Sequence, residues 1–235
     1  MSADLHSNRY EDIFFIMARM KSDTEGLSAT LVADLVSSRT SRDRQALHTR
    51  FREEMDAVNA DPESGLVEDL RITVGDEFQG RFETVGAALA ATLRLRLALS
   101  PADIRFGVGW GEVTALDDEG TQDGPAWWVA RSAIEWVETA QREAVTEKVR
   151  TAYRCGESED GPGEPEVNAA LLCRDHLVGS LDERGRRILD GLLAGQTQAE
   201  IAEREQVSPS AISQRVRRDG IGLILAAHEE LRRAR

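Results

Sequence analysis

The chain has 235 residues, 42 acidic side chains against 29 basic ones, and a net charge of −13, which excludes a protein that coats nucleic acid nonspecifically through a basic surface. Hydrophobic residues make up 41% of it, enough for a real core, while two cysteines and four scattered histidines exclude a disulfide framework and a four-cysteine zinc site. The charge is uneven: residues 182–235 are near neutral and rich in arginine, and the acidic excess lies before them, so two units with different jobs are expected.

Residues 1–26 are polar apart from "IFFIM", whose preceding acids do not suit a signal peptide, and a flexible extension is expected there. No apolar run reaches the roughly 18 residues of a membrane span, so a cytoplasmic protein with no membrane partner is expected. In "GLSATLVADLVSSR" Leu27, Ala29, Leu31 and Ala33 alternate with Ser28, Thr30, Val32 and Asp34, a mostly buried strand. Helical spacing of Leu47, Phe51, Met55 and Val58 then predicts an amphipathic helix, ended by "DPESG". "VEDLRITVGD" and "EFQGRFET" predict two strands joined by a tight Gly-Asp turn. The Ala- and Leu-rich run before Pro101 predicts a second helix, and "DIRFGVGWGEVTAL" a fourth strand. Gly107, Gly109 and Gly111 in that strand imply a close backbone approach or a bulge. "PAWWVARSAIEWVETAQRE" predicts a third helix and "VTEKVRTAYRC" a last strand. The order β-α-β-β-α-β is that of a ferredoxin-like α+β domain over residues 27–155. The acidic, Gly- and Pro-rich stretch that follows, with a short helix at about 168–178, is the expected linker over residues 156–180.

"VADLVSSR" and "VGDEFQG" resemble the SatD family, and their layout is similar to the palm-type catalytic domain of class III nucleotidyl cyclases and GGDEF diguanylate cyclases. The resemblance implies metal-binding carboxylates at Asp34 and Asp76, with Glu77 beside them, holding Mg2+. It implies a phosphate contact at Arg131; the backbone amides of Val36, Ser37 and Ser38 suit a phosphate cradle, Arg39 and Arg44 suit bidentate phosphate contact, and Gly75 of the turn is taken with them as nucleotide-binding. Mg2+ suits such a place, since it takes one or two protein carboxylates plus substrate phosphates. The plain alternatives are that Asp34 ends a strand or caps a helix and that Asp76 only serves a turn. Ile72 and Trp127 stand where purine-selecting cyclases carry lysine and asparagine, so a domain that binds nucleotide without turning it over is one reading and an active cyclase another.

Residues 181–235 resemble the helix-turn-helix of LuxR-type regulators and sigma-factor region 4 through "TQAEIAEREQVSPSAISQR". Ser208 suits an N-cap and Pro209 the first helical position. Ala211, Ile212 and Val216 then face inward, leaving Ser210, Ser213, Gln214, Arg215, Arg217 and Arg218, with Ser208, for DNA. A homodimeric transcription regulator with a nucleotide- and Mg2+-binding body is the leading expectation; a phosphoryl-transfer enzyme and a protein-interaction module are the rivals.

Overall fold

The computed structural model describes residues 26–36, 44–73, 75–117, 121–157 and 160–235. Residues 1–25 of the expected extension, and Ser37, Ser38 and Arg39, lie outside the described residues. The elements are β1 (Leu27–Val36), α1 (Arg44–Asn59), β2 (Leu66–Ile72), β3 (Glu77–Phe82), α2 (Val85–Ala98), β4 (Asp103–Glu112), β5 (Thr114–Ala115), β6 (Gln122–Asp123), α3 (Pro125–Ala140), β7 (Thr151–Cys155), α4 (Glu164–Ser180), α5 (Glu183–Leu193), α6 (Gln198–Arg204), α7 (Pro209–Arg218) and α8 (Ile221–Leu231). The main sheet has the order β2-β3-β1-β4-β7, antiparallel except for the β4–β7 pair, and β5 and β6 form a separate ribbon. This is a split βαβ unit with one strand added at its edge.

Both faces of β1 are buried, which explains its nearly continuous apolar sequence. Ala29, Leu31, Ala33 and Leu35 enter the main core with Phe51 and Met55 of α1, Leu89 and Leu95 of α2, and Phe78, Phe82 and Phe106. The Phe51 and Phe78 rings meet edge to face at 5.1 Å. On the other face Val32 packs on Ala130 and Ile134 of α3, and the buried Thr30 hydroxyl donates to the Ala126 carbonyl at 2.8 Å. The glycines of β4 serve a close approach. A Cβ on Gly107 would overlap the Ala130 carbonyl oxygen, and one on Gly109 the Ala126 carbonyl oxygen, so the α3 backbone lies directly on the strand.

Helix α2 shows no apolar stripe because it is buried nearly all round. One side belongs to the main core; on the other, Leu93 and Leu97 join Val178 of α4, Leu181 just after it, Ile188 and Leu189 of α5, Ile201 of α6, Ile212 of α7, and Ile221 and Ile224 of α8 in a second cluster. The Gly86 N–H donates to the Ala234 carbonyl at 2.8 Å, tying the end of the chain to the start of α2. The apolar core of the last helices is therefore completed by the sheet-bearing part.

Two elements differ from expectation. The last strand begins only at Thr151, because the residues before it make turns in which the Thr146 hydroxyl donates to the Ala140 carbonyl at 2.7 Å. The short helix at 168–178 is a longer one, α4, opened by Pro165 and by Glu164 and Glu166 in its first turn. Its Asp175 is fully buried, accepts from Arg96 at 2.8 Å, and accepts the backbone N–H groups of Arg150 and Thr151, each at 2.7 Å. Arg174 beside it is 1% exposed and donates to the Leu89 carbonyl and to the Thr92 and Thr151 hydroxyls. A buried polar knot thus joins α2, β7 and α4.

Candidate functional site

The expected acids gather at one end of the sheet. In the ladder Asp34 lies opposite Glu77 of β3 on one side and Arg105 of β4 on the other. Asp76 precedes Glu77 in the β2–β3 hairpin, which closes through a Thr73 N–H to Glu77 carbonyl bond of 3.0 Å. Gly75 takes the left-handed conformation the hairpin needs (φ 67°), and nothing stands within 4 Å of where a Cβ would be. Asp76 and Gly75 border a cavity of about 400 Å3 whose other walls are Leu35 of β1 and Gln45, Leu47, His48 and Phe51 of α1. Val36 ends β1 opposite Asp103, and Arg44 begins α1.

The electrostatics were not expected from the sequence. Arg105 grips Asp34 with both arms of its fork, Nε to Oδ1 at 2.8 Å and Nη2 to Oδ2 at 2.6 Å. This hydrogen bond to Asp34 holds the Arg105 guanidinium above its ordinary pKa, with smaller contributions from the Glu138 and Asp76 charges. Arg131 of α3 reaches Glu77 Oε2 at 3.4 Å, a longer and more exposed pair. Both Asp34 oxygens are therefore committed to a resident cation, and among the described residues no three His, Cys, Asp or Glu side chains converge as metal ligands. The acids as arranged do not fit Mg2+, because an ion at Asp34 would have to displace the Arg105 fork.

At the other end of the chain, α6 opens with a capping box: the Thr197 hydroxyl accepts from the Glu200 N–H, and the Glu200 carboxylate accepts from the Thr197 N–H. The turn into α7 passes through Gln206 at φ 55°, a left-handed residue in a place that often holds glycine. Ser208 caps α7 by accepting the Ala211 N–H, with Pro209 in the first turn and Ile212 buried. Ser208, Ser210, Gln214, Arg217 and Arg218 are exposed and Ser213 half-buried. Arg215, expected to face outward, is instead tied inward, Nε to Asp219 at 2.7 Å and Nη2 to Asp182 at 2.8 Å. These bonds hold Asp182, the N-cap of α5, below the usual carboxylate pKa and Arg215 above its own. Arg218 pairs with Asp219, and Glu205 is buried among Arg184, Arg187 and Arg204.

A mixed five-stranded sheet flanked by helices, with carboxylates at its hairpin end, defines an α/β protein. The family model described as "SatD family" matches residues 29–232, and the chain belongs to that family. Among solved structures it is similar to the catalytic core of a rhodopsin-guanylyl cyclase with converted specificity in complex with ATPalphaS, at 22% identity over 47% of this chain and 71% of that one, TM-score 0.38. It is also similar to a bacterial light-regulated adenylyl cyclase, at 13% identity over 65% of this chain and 56% of that one, TM-score 0.41. A third likeness is to an adenylate/guanylate cyclase/hydrolase from Silicibacter pomeroyi, at 29% identity over 45% of this chain and 67% of that one, TM-score 0.33. A search among curated proteins gives no match. No helix among the described residues is long and apolar enough to cross a membrane.

Proposed function

We propose that this chain is a nucleotide-responsive DNA-binding regulator that works as a homodimer and does not turn its nucleotide over. The observation that carries the reading is the cavity beside Asp76, walled by Leu35, Leu47 and Phe51, with the Asp34–Arg105 and Glu77–Arg131 pairs at the same end of the sheet. Apolar walls suit the face of a base, and the polar rim suits its edge and phosphates. Arg131 is the arginine for a phosphate, because its bond to Glu77 is long and solvent-exposed and opens at little cost. Arg105 stays with Asp34 and Arg131 lies beside Glu77, so these two acids are balanced by arginines and the binding needs no metal at Asp34. Among the described residues Asp34 is held by both arms of Arg105, which favours a sensor over a cyclase.

The DNA side rests on the α6–α7 pair and its exposed Ser210, Gln214, Arg217 and Arg218. Gln214 suits an adenine edge, Arg217 and Arg218 suit phosphates, and Arg215 holds the helix pair to the N-cap of α5. Trp128 and Trp136, 60% and 38% exposed on α3, supply apolar surface for a second copy. The test is calorimetry with ATP and GTP on the wild type and Asp76→Ala, product analysis of the same mixtures, and a gel shift with Gln214→Ala. The reading expects binding that Asp76→Ala weakens, no cyclic or linear dinucleotide product, and a shift that Gln214→Ala weakens. Binding unaffected at Asp76, or turnover, contradicts the nucleotide part; a shift unchanged in Gln214→Ala contradicts the DNA part.

A further inference from the structure

A second cavity, of about 200 Å3, opens where α2, β4, α4 and α5 meet, and its lining includes Arg96, Lys148, Arg150 and Arg186 with Ser100 and Gly179. Four cations around one small hollow stand out in a chain of net charge −13. Asp103, which also lines the hollow, and the buried Asp175 offset part of this charge. The buried Asp175 accepts from Arg96 and also lies 3.5 Å from the buried Arg174, so two arginines share one carboxylate. Asp103 is taken by both arms of Arg150. That leaves Arg186, whose Nη1 donates to the Ser100 hydroxyl at 2.9 Å, and Lys148, whose Nζ donates to the Ser180 hydroxyl at 2.9 Å. Their partners are neutral hydroxyls. The Lys148 stem runs close past Gly179, where an added Cβ would stand 3.2 Å from it.

Burying like charges together is costly unless an anion joins them. The side chain of Arg96 is only 10% exposed, and its burial pulls its pKa down from the ordinary value. The Arg186 guanidinium and the Lys148 ammonium converging on one hollow, with neutral hydroxyls as their partners, are a donor set that takes a tetrahedral oxyanion. The volume is below the range of about 300–1,000 Å3 usual for whole small-molecule ligands, so it suits a charged group better than an entire nucleoside. We propose that this cavity is a binding site for a phosphate group, either free phosphate or the phosphoryl end of a larger molecule, held by Lys148 and Arg186 and backed by Arg96 and Arg150. Arg186 belongs to α5, whereas Ser100 follows α2 in the sheet-bearing part. A phosphate bound between them clamps the last helices onto the sheet. The site uses none of the residues of the Asp76 cavity and does not rest on the nucleotide reading.

The experiment is calorimetry of the full chain with inorganic phosphate in chelator, on the wild type, on the double variant Lys148→Gln/Arg186→Gln, and on Arg131→Gln. Phosphate is expected to bind the wild type and Arg131→Gln alike and the double variant at least tenfold more weakly. Phosphate should also raise the melting temperature of the wild type but not of the double variant, which must itself melt cooperatively. Lys148→Arg should retain binding. ATP in chelator, added to phosphate-saturated wild type, distinguishes the sources: displacement of phosphate identifies the phosphoryl group of a nucleotide as a competent ligand, and no displacement identifies the free ion. No phosphate binding to the wild type at millimolar concentration, or equal binding by the double variant, overturns the proposal.

Discussion

Arg105 decides what Asp34 can do. A bidentate guanidinium replaces the solvent and ions that a strand-end carboxylate would otherwise gather. The expected consequence is that Mn2+, followed by its electron paramagnetic resonance, binds the wild type weakly. Arg105→Gln, which leaves Asp34 opposite Glu77 with no resident cation, should bind Mn2+ at least tenfold more tightly while losing about 1–3 kcal/mol of stability. Tight Mn2+ binding by the wild type would contradict the arginine-balanced site. His228 makes a pH prediction. It is 7% exposed, and burial first, then the charges of Arg174 and Arg232, push its pKa down to about 4, with Glu229 acting weakly the other way. The unfolded chain takes up that proton below about pH 6.5 and the folded chain only near 4, so stability is full above 6.5 and falls as pH drops between these values. The loss attributable to His228 reaches roughly 3 kcal/mol by pH 4. Urea denaturation of the wild type and His228→Gln at pH 7 and pH 4.5 checks it: the variant should lose less on acidification.

At the scale of elements, α3 and α4 carry the tightest constraints. Gly109 has no room for a methyl group against the α3 backbone, so Gly109→Ala should cost about 1–3 kcal/mol, measured by urea denaturation. Asp175→Asn leaves Arg96 and Arg174 buried together without a carboxylate, and a loss of about 3–5 kcal/mol is expected by the same measurement. An unchanged midpoint in either variant would contradict the packing described. The glycines of β4 were legible, because three glycines at every second position in an apolar strand imply something close to its backbone. The Asp175 knot was not. Its partners lie 79 and 25 residues away, and the surrounding acidic, Gly- and Pro-rich sequence reads as a linker. The same limit hid the Arg105–Asp34 pair, which depends on the β1–β4 register, and the Arg215–Asp182 pair, whose partners are 33 residues apart. Helical spacing placed Arg215 outward but carried no information about the acid that captures it.

For the whole molecule, the strand order and the gathering of Asp34, Asp76 and Glu77 were readable, since alternating apolar positions fix the strands and a short Gly-Asp turn fixes the hairpin. The face of α1 that walls the cavity was readable as an apolar stripe, though the cavity itself was not, because Leu47 and Phe51 look alike whether they face a core or a hollow. The relation between the two parts was less so. The change of charge near residue 181 suggested a separate tail, yet Leu93 and Leu97 of α2 complete the core of the last helices.

Hydrogen exchange of the full chain, with and without saturating ATP or GTP in chelator, tests nucleotide binding at the cavity beside Asp76 most directly. Slower exchange in the amides of residues 45–51 and 75–78, reduced in Arg131→Gln, is the predicted result. No protection of those segments by either nucleotide, or protection that Arg131→Gln leaves intact, would contradict it.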